Sequence, residues 1–276
     1  MAGNYLTSKE ISDYTINGGV AKVNRSATVV LLMGVLAGVY IALGAIGATT
    51  AAHDIANKGL AKLVSGAVFP VGLMLVVLNG ADLFTGNSLI IMSTFDKKTE
   101  IADFFKNISI VLLGNFIGAV TMAFLQANSS LLEMSYGGFA SYTFKVAADK
   151  LSFSFTEALI LGIICNIFVC AGILMAYSAT DVAGKIWGCF FPIFAFTISS
   201  SEHVVANMYY VPVAIFAKMN PELVAMSGVD AAVLAEITWG NFFINNVIPV
   251  TIGNFIGGVF LGSIYYAIHH KLSKIN

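Results

Sequence analysis

Six apolar stretches, each long enough to cross a lipid bilayer, are crowded into 276 residues, and no other feature limits the possible folds so strongly. A spanning helix needs about 20 predominantly apolar residues. Such segments run over residues 27–52, 63–94, 108–127, 158–178, 186–217 and 242–268. The second and fifth, at about 32 residues each, are too long for one straight crossing, and polar residues interrupt both. In the second the interruption is Asn79-Gly80-Ala81-Asp82-Leu83-Phe84-Thr85-Gly86-Asn87; in the fifth it is Ser199-Ser200-Ser201-Glu202-His203, followed by Asn207. A charge or an unpaired amide deep in hydrocarbon costs several kcal/mol. Interruptions of this kind persist only inside protein or along an aqueous path, so the sequence predicts two broken helices.

Composition removes the competing classes. With 58% hydrophobic and 11% charged residues, the chain cannot clothe a water-exposed surface, since soluble domains are about a quarter charged. A soluble enzyme and a disordered binder are excluded, and the formal net charge of −1 offers nucleic acid no basic face. The lipid bilayer is the expected surrounding. Cys165, Cys170 and Cys189 all lie in apolar stretches and read as small hydrophobes, with no disulfide framework, no spaced metal site and no cofactor implied. Glu10 and Asp13 precede the first apolar run at Ala27, so no cleaved signal peptide is expected. Nine of the 14 basic residues (Lys9, Lys22, Arg25, Lys97, Lys98, Lys106, Lys185, Lys271 and Lys274) fall on the side of the N-terminus. Lys58, Lys62, Lys145, Lys150 and Lys218 fall on the other, which predicts cytoplasmic termini.

An internal repeat organises the spans. Gly114-Asn115-Phe116-Ile117-Gly118-Ala119-Val120 returns as Gly253-Asn254-Phe255-Ile256-Gly257-Gly258-Val259, identical at six of seven positions and about half the chain later. Each half then holds three spans with the broken one in the middle, the first over 27–127 and the second over 158–268. Residues 1–26 precede them, residues 269–276 form a tail, and the whole is one transmembrane domain. Three is odd, so the halves enter from opposite sides. Paired interrupted segments in an inverted repeat point to a transport path. Gly34 and Gly38, Gly114 and Gly118, and Gly253 and Gly257 have the four-residue spacing of close helix packing in lipid.

A half-helix beginning in mid-membrane aims free amides and a partial positive charge into the bundle, which favours an anionic or neutral cargo. His203 is the one histidine inside a spanning segment, and its chemistry suits proton exchange with a weak acid. Thr85 and Asn166 are placed to bond the ring or the ion, or equally to join helices. Lys150, ahead of the fourth span, is open to two readings: a lysine snorkelling to headgroups or a positive lure at a pore mouth. Asp82 and Glu202 each precede a half-helix and are expected to cap it.

Phe69-Pro70-Val71-Gly72-Leu73, with Gly80 through Asn87, closely resembles a signature of the formate/nitrite transporter family. Glu202-His203-Val204-Val205-Ala206-Asn207-Met208 resembles that family's second signature, and the resemblance runs from about residue 15 to the sixth span. It implies an all-α, aquaporin-like protomer with its own pore, assembled as a homopentamer in a bacterial inner membrane. It also implies His203 as the central pore histidine, Lys150 as the basic residue near it, and Thr85 and Asn166 as polar companions. Phe69, Leu73 and Phe196 match the outer constriction, and Leu83 and Phe84 the cytoplasmic slit. The family's N-terminal helix corresponds to residues 6–23, where Thr7 and Glu10 suit a capping box. The serine run 199–201 departs from the more usual pattern before the Glu-His pair, and the chain looks most similar to the hydrosulfide-channel branch.

The expected activity is passage of small monovalent weak-acid anions (hydrosulfide first, formate or nitrite as alternatives), by channel or proton symport. In that scheme Lys150 and the half-helix ends attract the anion, the rings strip its water, and His203 offsets the loss by hydrogen bonding or proton exchange. Other classes fit poorly. An aquaporin needs two Asn-Pro-Ala boxes, and Asn220-Pro221 is the sole Asn-Pro; an ammonium channel needs paired mid-membrane histidines. A membrane-embedded enzyme needs a nucleophile with a base, and neither His53-Asp54 nor Ser199 to His203 completes one.

Overall fold

A computed structural model describes residues 5–272, and these form helices throughout apart from one isolated bridge between Tyr5 and Ala179. Lys274 and the end of the expected tail lie outside the described residues. The N-terminal helix, Ser8–Val23, starts at the expected capping box: Glu10 accepts from the Thr7 amide at 2.8 Å, and Thr7 Oγ1 accepts from the Glu10 amide. Those bonds from Thr7, backbone first, hold the Glu10 carboxyl below its ordinary pKa.

The first span is Ala27–Ala52, as expected, and Ser26 caps it. The third is Ile101–Ala127 and the fourth Phe155–Ser178. Both start earlier than hydropathy suggests because polar first turns continue the helix, the fourth through a Ser154–Glu157 capping box. The sixth runs Trp239–Lys271. The second comprises Lys58–Asn79 and a shorter half over residues 84–95. The fifth comprises Val182–Ile198 and Val204–Ala217. Among the described residues five helices are long and apolar enough to cross a membrane alone, and the fifth crossing is assembled from two short ones.

The first break is confined to residues 80–83, with Phe84–Asn87 already helical, so it is shorter than the polar run predicts. It turns at Gly80, whose φ of +73° is left-handed. The second turns at Ser200, φ +57°, and each of these residues lies two positions before the acidic residue of its break. Glycine adopts this conformation freely; serine does so at a cost of about 1–2 kcal/mol.

The first span packs on the third, and the fourth on the sixth, through the glycines of the repeat. A Cβ at Gly118 would lie 2.1 Å from the Val35 carbonyl, and one at Gly253 would lie 2.2 Å from that of Leu159. Large apolar side chains such as Leu32, Leu36, Leu113, Ile252, Ile256 and Phe260 cover the outside, the distribution expected of a surface facing lipid or another subunit. The repeat extends beyond the expected 27–127 and 158–268. An additional helix, Gly138–Leu151, precedes the fourth span as Ser8–Val23 precedes the first. Asn107 bonds the Lys22 carbonyl on one side, and Asn246 bonds the Lys150 carbonyl on the other.

Candidate functional site at the paired helix breaks

Two asparagines of the repeat hold the breaks open. Asn115 Nδ2 donates to the carbonyls of Gly34 and Asp82, at 2.8 and 3.0 Å, while its Oδ1 accepts from the Phe84 amide at 2.9 Å. Asn254 Nδ2 donates to Gly162 and Glu202, at 2.8 and 2.9 Å, and its Oδ1 accepts from Val204 at 2.9 Å. Each fully buried amide thus satisfies three backbone groups that would otherwise cost about 1–3 kcal/mol apiece. The carbonyl of each acidic residue and the first amide of each second half are fixed from the same neighbour.

The carboxylates themselves do not cap, contrary to expectation. The short half after Asp82 starts at Leu83, without a side-chain cap, and Val204–Ala217 is capped by His203. Asp82 and Glu202 lie almost wholly buried, where an isolated charge is costly, and each is met instead by a basic side chain from the end of a preceding helix or the turn just after it. Asp82 is bound by Lys22 at 3.0 Å and Arg25 at 2.8 Å. Glu202 is bound by Lys150 at 2.9 Å, whose ammonium also lies 5.2 Å from the centre of the Tyr210 ring. Lys150 is therefore neither a snorkelling lysine nor a bare lure, because Glu202 offsets its charge.

An asparagine five residues after each carboxylate closes the network. Asn87 donates to Asn107 at 2.9 Å and accepts from Lys22 at 2.5 Å. Asn207 donates to Glu202 and Asn246, at 2.7 and 2.8 Å. Sequence reasoning missed this role for Lys22, Arg25, Asn87, Asn107 and Asn246. A signal was present, since Asn107 and Asn246 are separated by the same interval as Asn115 and Asn254.

The breaks meet at His203. Its Nε2 lies 3.0 Å from Thr85 Oγ1, joining the second halves of the two broken spans. Its Nδ1 accepts from the Ala206 amide at 3.1 Å. Because that nitrogen is an acceptor, the neutral ring carries its proton on Nε2 and offers it at the junction. Gaining a second proton would break the cap. The Thr85, Gly86 and Val205 amides have no acceptor among the described residues and add free donors there.

Asn166 does not reach the ring. Its Nδ2 donates to the Asn254 carbonyl at 2.5 Å, the Thr85 carbonyl at 3.2 Å and Ser88 Oγ at 3.3 Å, so it joins helices. The Phe69 and Phe196 rings meet edge to face, 5.6 Å between centres, and Phe196 lies 6.0 Å from the His203 ring. Leu73 is buried one turn beyond Phe69, while Leu83 and Phe84 are buried at the other break. A cavity of about 500 Å³ ends on Phe69, Phe196 and His203 and is lined farther out by Lys62, Asp149 and Lys150. Among the described residues no cluster of three His, Cys, Asp or Glu side chains is arranged to hold a metal.

Comparison with known proteins places this geometry. The formate/nitrite transporter family matches residues 9–268. The uncharacterized transporter YrhG of Bacillus subtilis is 39% identical over 269 residues, covering 96% of this chain and 94% of its own. The formate channel FocA of Haemophilus influenzae is 34% identical, covering 92% and 90%. A solved structure described as a pentameric formate channel with formate bound superposes with a TM-score of 0.79 at 31% identity, covering 88% of this chain and 97% of that one.

Proposed function

This chain belongs to the formate/nitrite transporter family, and from that premise we propose that it conducts formate, as one protomer of a homopentamer with a pore in each subunit. It is a multi-pass membrane protein whose activity is transport and not enzymatic catalysis. The observation that carries the reading is the junction itself: two half-helices whose first turns meet at a neutral histidine with a donor to spare.

A small monovalent anion enters the cavity of about 500 Å³ and reaches the edge-to-face rings of Phe69 and Phe196. Leu73 narrows the passage beyond them. Dehydration there costs several kcal/mol. His203 Nε2–H turns from Thr85 to the anion and offsets part of that cost, with the Val205 amide adding a second donor. Leu83 and Phe84 form the narrow exit past the other break. Lys150, held by Glu202, keeps a dipole on the cavity wall and no bare charge. Of the two roles expected for the ring, hydrogen bonding suits the geometry better than proton exchange, because Nδ1 is committed to the Ala206 amide.

Formate takes precedence over hydrosulfide because the named relatives include several formate channels. The serine run that suggested hydrosulfide has a conformational role: Ser200 occupies the left-handed position, and Ser199 and Ser201 bond each other at 2.7 Å. The basic-residue bias supports cytoplasmic termini in a bacterial inner membrane. The test is uptake of formate, nitrite, hydrosulfide and chloride into proteoliposomes across a pH step. Selective formate entry, slowed by His203→Asn, supports the reading. Hydrosulfide outpacing formate reverses the substrate order, and the absence of selective anion flux overturns it.

A further inference from the structure

Where the second span ends against the last turns of the sixth, a groove of about 580 Å³ is lined by Phe95, Asp96, Lys97, Ser263, Tyr266 and Lys271. It shares no lining residue with the large cavity. It lies on the side of the N-terminal helix, since Tyr265 Oη donates to the Ser8 carbonyl at 3.3 Å and His270 Nδ1 is 2.9 Å from Asp13. Tyr266 Oη donates to the Phe95 carbonyl at 3.2 Å and joins the two walls.

The lysines of this groove are not neutralised. Asp96 is committed to His270 Nε2 at 2.9 Å and to Lys98 at 3.1 Å. The side chains of Lys97 and Lys271 have no hydrogen bond or ion pair among the described residues, so two positive charges face the groove without a partner. Lys97 also occupies the left-handed position, φ +59°, of the turn that closes the second span. Its amide bonds the Thr94 carbonyl there, and the Lys98 amide bonds that of Ser93. Glycine takes this position freely and lysine only against a steric cost. Beside the charges runs an apolar ridge: Phe260, Ile264 and Ile268, four residues apart on the sixth span, are exposed, as is Phe95.

We propose that this groove binds an anionic glycerophospholipid, its phosphate between Lys97 and Lys271 and an acyl chain along Phe260, Ile264 and Ile268. Unpartnered cations at the end of a span, with exposed hydrocarbon leading away from them, complement a molecule that has a charged head and a long tail. A soluble anion would use the lysines and leave the ridge bare. The bound lipid bridges the loop after the second span and the end of the sixth, so it stabilises the contact that Tyr266 makes between them. The site is independent of what the pore carries.

The experiment follows the thermal transition of the full-length, detergent-solubilised protein during titration with phosphatidylglycerol, with phosphatidylcholine of the same chains, and with glycerol 3-phosphate. A ligand of the folded state raises the transition by mass action. Phosphatidylglycerol is expected to raise it saturably, phosphatidylcholine weakly, and glycerol 3-phosphate not at all. One basic residue near an anionic headgroup is worth about fivefold in affinity. Lys97→Gly and Lys271→Gln should therefore each raise the half-saturating phosphatidylglycerol about fivefold, and the double variant about 30-fold. Lys271→Arg should retain the wild-type value, as should Lys145→Gln on the helix Gly138–Leu151. Lys97→Gly relieves the left-handed turn, so its weaker response cannot be laid to a weakened fold. Equal responses to the two lipids, no response to phosphatidylglycerol, or an unchanged half-saturation in the double variant overturns the site. A response to glycerol 3-phosphate equal to that of the lipid reveals a phosphate site without a role for the ridge, and overturns the lipid.

Discussion

Replacing His203 by asparagine separates the two tasks the ring performs. Asparagine is among the best N-cap residues, so its Oδ1 can take over the Ala206 amide now held by Nδ1 at 3.1 Å. Its shorter side chain cannot also reach the position from which Nε2 meets Thr85 at 3.0 Å. The variant keeps the helix start and loses the donor at the junction. A hydrogen bond to a charged partner is worth about 1.5–3 kcal/mol, and each 1.4 kcal/mol or so is a factor of ten in rate. Formate flux in proteoliposomes should therefore fall about 10- to 150-fold, with the thermal transition of the detergent-solubilised protein close to that of the wild type. His203→Ala should lose flux similarly and also lose about 1 kcal/mol of stability with the cap. A His203→Asn protein that carries formate at the wild-type rate at both acidic and neutral pH would show that the ring's donor is not used. One that loses flux only in proportion to a fall in stability would show that the ring is structural.

Three further outcomes follow from the geometry. Asn115→Ala and Asn254→Ala each strand three buried backbone groups, so denaturation should show a loss of about 3 kcal/mol or more in either half, and near-equal losses would reflect the shared frame. Ser200→Gly relieves a left-handed serine at the cost of one bond from the exposed Lys62, and its melting temperature should rise, by about 1 kcal/mol in stability; a fall would mean the serine hydroxyl matters more than its backbone. Asp96, in the loop after the second span, accepts from His270 Nε2 at 2.9 Å and from Lys98 Nζ at 3.1 Å. Burial raises the Asp96 pKa, but the Lys98 bond and the His270 charge outweigh it and hold the carboxyl below its ordinary 3.8. A depressed folded pKa adds stability above the unfolded value and loses it as pH falls through the folded one. The melting-temperature gap between wild type and Asp96→Asn should be open at neutral pH and close as pH is lowered past 3.8; a gap unchanged by acid would refute the assignment.

The spans and their breaks were legible because hydrocarbon imposes one rule on every residue: 20 apolar positions cross, and polar ones among them must be accommodated. The capping box at Thr7 and Glu10 was legible for the same reason, since it depends on residues three apart. What was not legible depends on distance along the chain. Asp82 and Glu202 stand where a cap would stand, yet their partners Arg25 and Lys150 lie 57 and 52 residues upstream, and no local pattern announces them. The helix Gly138–Leu151 was missed because Lys145, Asp149 and Lys150 break its hydropathy, although it supplies the cation that makes the burial of Glu202 tolerable. By sequence Asn166 suits two roles, and only the positions of three acceptors on other segments decide for joining helices.

The repeat was legible as packing, but its chemical consequence lies where the halves differ. Counting from the carboxylate of each break, Leu83 stands where His203 stands, and Thr85 where Val205 stands. Both residues begin the second half of a broken span, and both neighbouring amides are held by an asparagine of the repeat. Leu83 makes no side-chain cap, whereas His203 caps with one nitrogen and gives the other to Thr85. The duplicated frame supplies two converging half-helices with free amides. Substituting one leucine-like position by histidine, and one valine-like position by threonine, turns an apolar seam between them into a donor pair at its centre. The same comparison explains why the acidic residues need not touch the cargo. Each is sequestered by basic side chains at the end of the helix ahead of its half or just after it, which fixes the break and leaves the histidine and the amides at the junction itself as the groups an anion can meet.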